Sequence, residues 1–334
     1  MKILVTGGAG YIGSHTVVEL LNKGYDVVVV DNFVTSNPKS LEQIKKITGK
    51  NFKYYNCDID DSKSMQRVFS ENDIGAVIHF AAYSLVGESV NNPLKYYENN
   101  IYGTKQLLSV MVANNVDKII FSSTAAVYGE PKRIPIMEDD ETCPTNPYGE
   151  TKLAMEKMMK WCDKAYGLKY VALRYFNACG AHPSGLIGEN HKPETHLIPI
   201  ILQVPNHKRQ FVTIFGDDYN TKDGSCVRDY IHVCDLANAH VLALEYLLTG
   251  GKSDVFNLGN GEGFTCKEVL NIAESVVGES INNQIGDRRM GDPAVLTASS
   301  EKARKILHWQ PQMDDLHTII ATAWNWHKNH KNGF

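Results

Sequence analysis

The sequence predicts an α/β protein in which a doubly wound parallel sheet is followed by a smaller, mixed α/β domain. Three observations lead there. Short, nearly all-apolar strands alternate with helical segments over residues 1–175, and such strands are buried on both faces by helices. A glycine-rich turn, Gly7-Gly8-Ala9-Gly10-Tyr11-Ile12-Gly13, joins the first strand to the first helix. Beyond residue 176 the alternation loosens into loops and shorter elements.

The elements follow in order. Lys2–Thr6 reads as a short buried strand, and Ile12–Lys23 has helical spacing ending at Gly24, a helix-stopping residue. Further strands are expected at Asp26–Val30, Phe52–Asn56, Ala76–Phe80, Lys118–Ser122 and Lys169–Arg174. Helices are expected at about 39–48, 62–72, 93–114 and 147–166. The last of these starts at Asn146-Pro147, a good cap followed by a residue suited to the first helical position. Residues 1–175 thus form a Rossmann-type nucleotide-binding domain, with ligands expected at the carboxyl ends of its strands.

Residues 176–334 read as the substrate domain. His182–Thr195 is a loop rich in Gly, Pro, His and charge. A helix near 196–204, a strand at 211–215 and a helix at 233–249 follow, then a strand at 254–258 and a helix at 265–277. Helices near 300–307 and 314–329 close the chain. At this level it stays open whether parts of 228–260 rejoin the first sheet.

Composition narrows the function classes. The 334 residues are 43% apolar and 22% charged with a formal net charge of −4, ordinary for a soluble globular protein. Lys and Arg are scattered, so neither nucleic acid nor a membrane surface is an expected partner. The aliphatic run Val27–Val30 is far too short to span a bilayer, and Lys2 leads directly into a strand rather than a signal peptide. The seven cysteines are odd in number and form no CxxC pair. That fits the reducing cytoplasm, and neither a metal site nor a disulfide framework is expected.

The glycine turn supplies the first chemistry. Gly7, Gly10 and Gly13 give a GxxGxxG spacing between a strand and a helix, the setting in which backbone can approach a pyrophosphate. Asp31 ends the second strand, where a carboxylate accepts hydrogen bonds from a ribose and repels a 2′-phosphate; NAD is the expected cofactor. Asp58 closes the third strand, placed to meet an adenine amino group, although an aspartate there is equally a helix cap. Phe80, Ala81, Ala82 and Ser84 close the fourth, leaving room for a dinucleotide to cross the sheet edge.

Tyr148 and Lys152 lie four residues apart on the helix that opens at Pro147, hence on one face. A phenol with a pKa of about 10 is a weak base near neutrality. A nearby ammonium favours the phenolate, so the pair reads as a general base and its tuner. Thr124 ends the fifth strand, and its hydroxyl emerges at the same sheet edge, able to hold the oxygen that loses its proton.

The glycine turn, Ser122-Ser123-Thr124 and Tyr148-xxx-Lys152 resemble the extended short-chain dehydrogenase/reductase family. Later motifs narrow this: Arg174-Tyr175-Phe176-Asn177, Gly180 to Gly185, Arg228-Asp229-Tyr230-Ile231-His232-Val233 and Arg288-Arg289-Met290-Gly291-Asp292. In order and spacing the set is similar to the UDP-glucose 4-epimerases along essentially the whole chain. The resemblance implies reversible 4-epimerisation of UDP-glucose and UDP-galactose through a transient 4-keto sugar, with NAD tightly held. It also implies roles. Tyr148, Lys152 and Thr124 would be catalytic. Tyr11, Ile12, Asp31, Asn32, Ser36, Asp58, Ile59, Phe80 to Ser84, Asn99 and Phe176 would contact NAD. Asn177, Leu197, Thr213, Ile214, Phe215, Arg228, Arg289 and Asp292 would hold the nucleotide sugar, the arginines because a diphosphate takes bidentate cationic donors. A homodimer would form through the helix near 93–114 and the one carrying Tyr148.

Three positions depart from relatives. Thr124 replaces a serine and keeps the hydroxyl. His196 stands where a relative uses asparagine beside Leu197. Leu296 stands where some relatives place tyrosine against the sugar 2-position, so UDP-GlcNAc and UDP-GalNAc are also expected to fit. The rival readings are a nucleotide-sugar 4,6-dehydratase and a non-catalytic NAD sensor. The dehydratase needs an Asp-Glu pair after the strand-end Thr, where this chain has Ala125 and Ala126. The sensor has no use for both Tyr148 and Lys152, and both are present.

Overall fold

The computed structural model describes residues 1–289 and 292–334; Met290 and Gly291 of the fourth motif lie outside them. The first half runs β1 (Lys2–Thr6), α1 (Tyr11–Asn22), β2 (Asp26–Asp31), α2 (Lys39–Thr48), β3 (Lys53–Asn56), α3 (Ser62–Ser70), β4 (Ile74–His79), α4 (Val86–Asn91), α5 (Pro93–Tyr96), α6 (Gly103–Ala113), β5 (Lys118–Ser122), α7 (Pro147–Tyr166) and β6 (Lys169–Arg174). The second runs β7 (Asn177–Cys179), α8 (Leu197–Leu202), β8 (Val212–Phe215), β9 (Val227–Arg228), β10 (Tyr230–His232), α9 (Val233–Leu248), β11 (Asp254–Asn257), β12 (Phe264–Thr265), α10 (Cys266–Val277), β13 (Asn283–Gly286), β14 (Val295–Leu296), α11 (Glu301–Ile306) and α12 (Leu316–Asn329).

The central sheet has seven strands in the order β11-β6-β5-β4-β1-β2-β3. Its pairings are parallel throughout, as the uniformly apolar strands require. The chain leaves β1 toward β2 on one side and β4 lies on the other, so the strand order reverses there. A crevice at the carboxyl ends follows from that reversal. One face of the sheet packs Ile3, Val5, Val29 and Ile78 against α1 and α9, with Val17, Leu20, Leu236 and Leu244 at 0% exposure. The other packs Leu4, Val28, Val77 and Phe121 against α3, α6 and α7.

Two outcomes needed the tertiary structure. The strand at 254–257 joins the first sheet, Val255 opposite Ala172 and Phe256 opposite Leu173 on β6. The expected helix over 93–114 is interrupted by a π-helical turn at Tyr97–Tyr102. There Asn100 is fully buried, its amide bonded to Tyr83 N, Tyr83 O and Thr151 Oγ1 at 2.9–3.1 Å. The wider turn gives an asparagine at mid-helix the reach to brace the loop after β4.

The second half builds a separate core from α8, β8, α10 and α12, with Ile198, Ile214, Leu270, Ile319 and Ile320 inside. Between the two cores run the short pairings β7–β10 and β12–β9–β14. Two or three residues each, these strands are too short to show periodicity.

Candidate active site

A cleft of about 990 Å³ lies across the carboxyl ends of the sheet, lined from Gly7 at one end to Arg228, Asp292 and Leu296 at the other. At the first end, Gly7 holds φ +70°, and a Cβ on Gly13 would stand 2.2 Å from the Gly7 carbonyl oxygen. Only glycine lets α1 start this close to β1. That helix has no side-chain cap and no acid in its first turn, so its free N–H groups face the cleft as an anion site.

Asp31 at the end of β2 accepts bonds from Ala9 N (2.9 Å), Phe33 N (2.9 Å) and Ser36 Oγ (2.7 Å). The carboxylate braces the glycine loop as well as bordering the cleft. Asn32 donates to Asp58 at 2.7 Å. Asn32, Ser36, Asp58, Ile59, Phe80, Ala81, Ala82, Ser84, Asn99 and Phe176 all line the same cleft. Tyr11 lines it with its ring while its hydroxyl donates to Gly180 O at 2.6 Å. Glycine backbone, free helix terminus, strand-end carboxylate and small alanines together fit an extended dinucleotide.

The middle of the cleft belongs to α7. Asn146 caps it by accepting from Gly149 N at 2.9 Å, and Pro147 takes the first position, which fixes where Tyr148 points. Lys152 is buried, donates to Ser122 O at 2.8 Å, and stands 5.9 Å from the Tyr148 ring centroid. Thr124 faces the phenol and caps the following turn by accepting from Ala126 N at 3.1 Å.

In the protein alone, burial dominates both groups. Burial pushes the Tyr148 phenol up to about 12, and the Thr124 hydrogen bond draws it back only in part. Burial pulls the Lys152 ammonium down to about 7, opposed by the Glu156 carboxylate. The lysine is spaced from the phenol and itself desolvated, so the protein alone does not lower the tyrosine.

One helical turn further on, Glu156 forms a buried two-point pair with Arg174 of β6, Nε–Oε1 3.0 Å and Nη2–Oε2 2.5 Å, and accepts from Ser123 Oγ at 2.5 Å. The pair ties α7 to β6, and the Ser123 bond ties it to the segment after β5 that carries Thr124. Sequence reasoning passed over Glu156, although it follows Lys152 by the same four residues. Glu189 and His191 were passed over too, because they sit in a loop without periodicity.

At the far end Asn177, His196, Arg228, Arg289, Asp292 and Leu296 line the cleft. Arg228 is paired with Asp292 and donates to Val227 O at 2.7 Å. The Arg289 guanidinium lies 4.1 Å over the Phe215 ring. Asn177 spends its amide on Asp229 O at 2.8 Å. Leu197, Thr213, Ile214 and Phe215 are outside the lining: Leu197 opens α8, the others form β8, and the Ile214 side chain is buried in the second core. Any contact from Ile214 to a ligand is made by its backbone.

Fold and site define a nucleotide-dependent α/β enzyme, and the chain belongs to the NAD dependent epimerase/dehydratase family, which matches residues 3–259. Within that family it belongs with the UDP-glucose 4-epimerases. It is 58% identical to the UDP-glucose 4-epimerase of Halalkalibacterium halodurans over 100% of this chain and 98% of that one. The UDP-glucose 4-epimerase of Bifidobacterium longum, solved with NAD+ and UDP, superposes with a TM-score of 0.94 at 46% identity, covering 100% of both chains. The UDP-Glc/GlcNAc 4-epimerase of Campylobacter jejuni does so with a TM-score of 0.88 at 40% identity, covering 98% of this chain and 99% of that one.

Proposed function

We propose that the chain interconverts UDP-glucose and UDP-galactose by inverting C4 through a 4-keto sugar, with Tyr148 as the acid–base group. NAD, when bound along the glycine loop, supplies a reversible hydride acceptor and a positive charge beside the phenol. Tyr148 then takes the proton of the 4-hydroxyl while Thr124 holds the same oxygen. Lys152, with one proton engaged by Ser122 O, keeps two others for a ribose hydroxyl and adds charge near the phenolate. Arg228 and Arg289 hold the diphosphate while the keto sugar turns about it. Tyr148 returns the proton once the opposite face is presented. The geometry that carries this reading is the convergence of Tyr148 and Thr124 in one cleft with a glycine loop at one end and arginines at the other.

The test is to incubate the purified protein with UDP-galactose and no added NAD. UDP-glucose should appear. No turnover with or without NAD would leave the NAD-sensor reading in its place.

Leu296 supports a wider substrate range. It lies on β14 at the cleft wall, beside Phe176 and Ala298, with neither the bulk nor the hydroxyl of tyrosine. A 2-acetamido group would have space there.

A homodimer is supported by apolar side chains exposed on the two helical segments named for it: Leu94, Tyr97 and Tyr102 before and within the π turn, and Trp161 on α7. Light scattering on the purified protein would give twice the chain mass. The odd number of cysteines without a CxxC pair supports a reducing compartment such as the cytoplasm. No helix among the described residues is long and apolar enough to cross a membrane.

A further inference from the structure

We propose that Glu189, His191, Glu194 and His196 form a zinc-binding site on the wall of the cleft. Four donors occur within eight residues of the loop before α8, and one ligand atom from each lies within 4.8 Å of all the others. Their arrangement is what suggests a shared cation. His196 Nδ1 is 2.6 Å from Glu189 Oε1 and 3.4 Å from Glu194 Oε1. Neither contact is aligned as a hydrogen bond, and the buried nitrogen has no hydrogen-bond partner among the described residues. His191 Nδ1 approaches the same Glu189 oxygen at 3.1 Å. Two imidazole nitrogens thus converge on one carboxylate oxygen.

Charge is compatible with a metal here. The Glu189 side chain is 3% exposed and has no Lys or Arg partner among the described residues, only the two imidazoles. As imidazoliums these two balance the buried carboxylate, and a metal ion would take over that role from their protons. The loop is also held for the purpose: Trp326 Nε1 donates to Glu189 O at 3.0 Å, and Glu194 Oε1 is fixed by Thr195 N and His196 N at 2.8 and 2.9 Å. Two imidazoles and two carboxylates without thiolate suit Zn²⁺, whose bonds to such donors are about 2.0–2.2 Å. The sequence expectation of no metal rested on cysteine spacing, and these donors are not cysteines.

The site adjoins both halves of the cleft. His191 meets the edge of the Tyr11 ring, centroids 6.1 Å apart, next to the glycine loop. His196 lines the substrate end. Zinc on His196 Nδ1 leaves the proton on Nε2 and so fixes that ring as a donor. A substrate diphosphate is the acceptor such a donor would meet. This last consequence rests on the nucleotide-sugar reading; the metal site does not.

The experiment treats the purified, NAD-containing protein with a chelator, dialyses it against micromolar Zn²⁺ and counts bound metal by mass spectrometry. One zinc per chain is expected, with affinity at least about tenfold weaker in both His191→Ala and Glu189→Gln. Retained NAD shows that each variant is folded, and His191→Gln serves if either is not. The Cys226→Ser, Cys266→Ser double variant should keep its zinc. Absence of stoichiometric zinc, unchanged binding in the His191 and Glu189 variants, or loss in the cysteine variant would overturn the proposal. If the donor role of His196 holds, zinc removal raises KM for UDP-galactose several-fold with little change in kcat; a change in kcat alone would refute that role and leave the metal count standing.

Discussion

Lys152 gives its hydrogen bond to the Ser122 carbonyl at 2.8 Å and keeps 5.9 Å from the centroid of the Tyr148 ring. The two side chains share a helix face without touching as acid and base. The lysine is a desolvated ammonium held at the strand end, and the tyrosine is a desolvated phenol that ionises only when positive charge is assembled around it.

Tyr148→Phe should therefore lower kcat by about 10²–10⁴-fold, the range for loss of a positioned acid–base group, with NAD still bound. Rates on UDP-galactose and nucleotide released on denaturation give the two numbers. Loss of NAD together with activity would assign Tyr148 to cofactor binding instead.

Glu156 and Arg174 should behave as a buried ion pair. Replacing either partner alone, as Glu156→Gln or Arg174→Met, should cost about 3–5 kcal/mol in urea unfolding, since each leaves an unpaired buried group. The double variant Glu156→Leu, Arg174→Met should recover much of that loss. Additive losses would mean that the two groups act separately.

Gly13→Ala should cost NAD retention. The added methyl would meet the Gly7 carbonyl at 2.2 Å and Gly8 Cα at 2.9 Å, both backbone atoms that cannot swing aside. The absorbance ratio of the purified variant at 260 and 280 nm reports the nucleotide, and a wild-type ratio would show that the loop yields.

The acid limb of stability should carry buried histidines. Burial holds His15 and His79 down to about 3, and His232 and His240 down to about 4, from an ordinary 6.5. The unfolded chain takes up these protons below pH 6.5 while the folded chain does not. Their contribution is thus complete above pH 6.5 and is lost as the pH falls toward 4 or 3. His240 has an unpartnered Nε2 among the described residues and its ring centroid lies 4.6 Å from that of Phe80, so phenylalanine can replace it at the loss of one bond, from Nδ1 to Leu236 O at 2.8 Å. His240→Phe should flatten the slope between pH 6.5 and 4 by up to one proton, about 1.4 kcal/mol per pH unit. Unfolding free energies at pH 7, 6 and 5 decide this, and parallel curves would refute it.

Leu296→Tyr should narrow the substrate range. Turnover of UDP-N-acetylgalactosamine is expected to fall at least about tenfold, with UDP-galactose turnover little affected. Equal effects on both sugars would place Leu296 away from the 2-position.

The sequence by itself determined the class of sheet, the glycine-loop end of the cleft and the helix carrying Tyr148. These rest on local rules: apolar runs for buried strands, glycines where a Cβ cannot fit, and Asn146-Pro147 for a helix start. Tertiary structure decided what depends on distant partners. Strand β11 joins β6 across 83 residues of chain. Asn100 opens a π turn to reach Tyr83 and Thr151. Glu156 finds Arg174, and Glu189 gathers two histidines. Ionisation belongs to this second group. Spacing placed an ammonium near a phenol and suggested a lowered pKa, but burial, which no spacing reveals, raises the phenol and lowers the ammonium instead. Helical spacing fixes which groups share a face, and desolvation by the whole fold fixes the charge they carry.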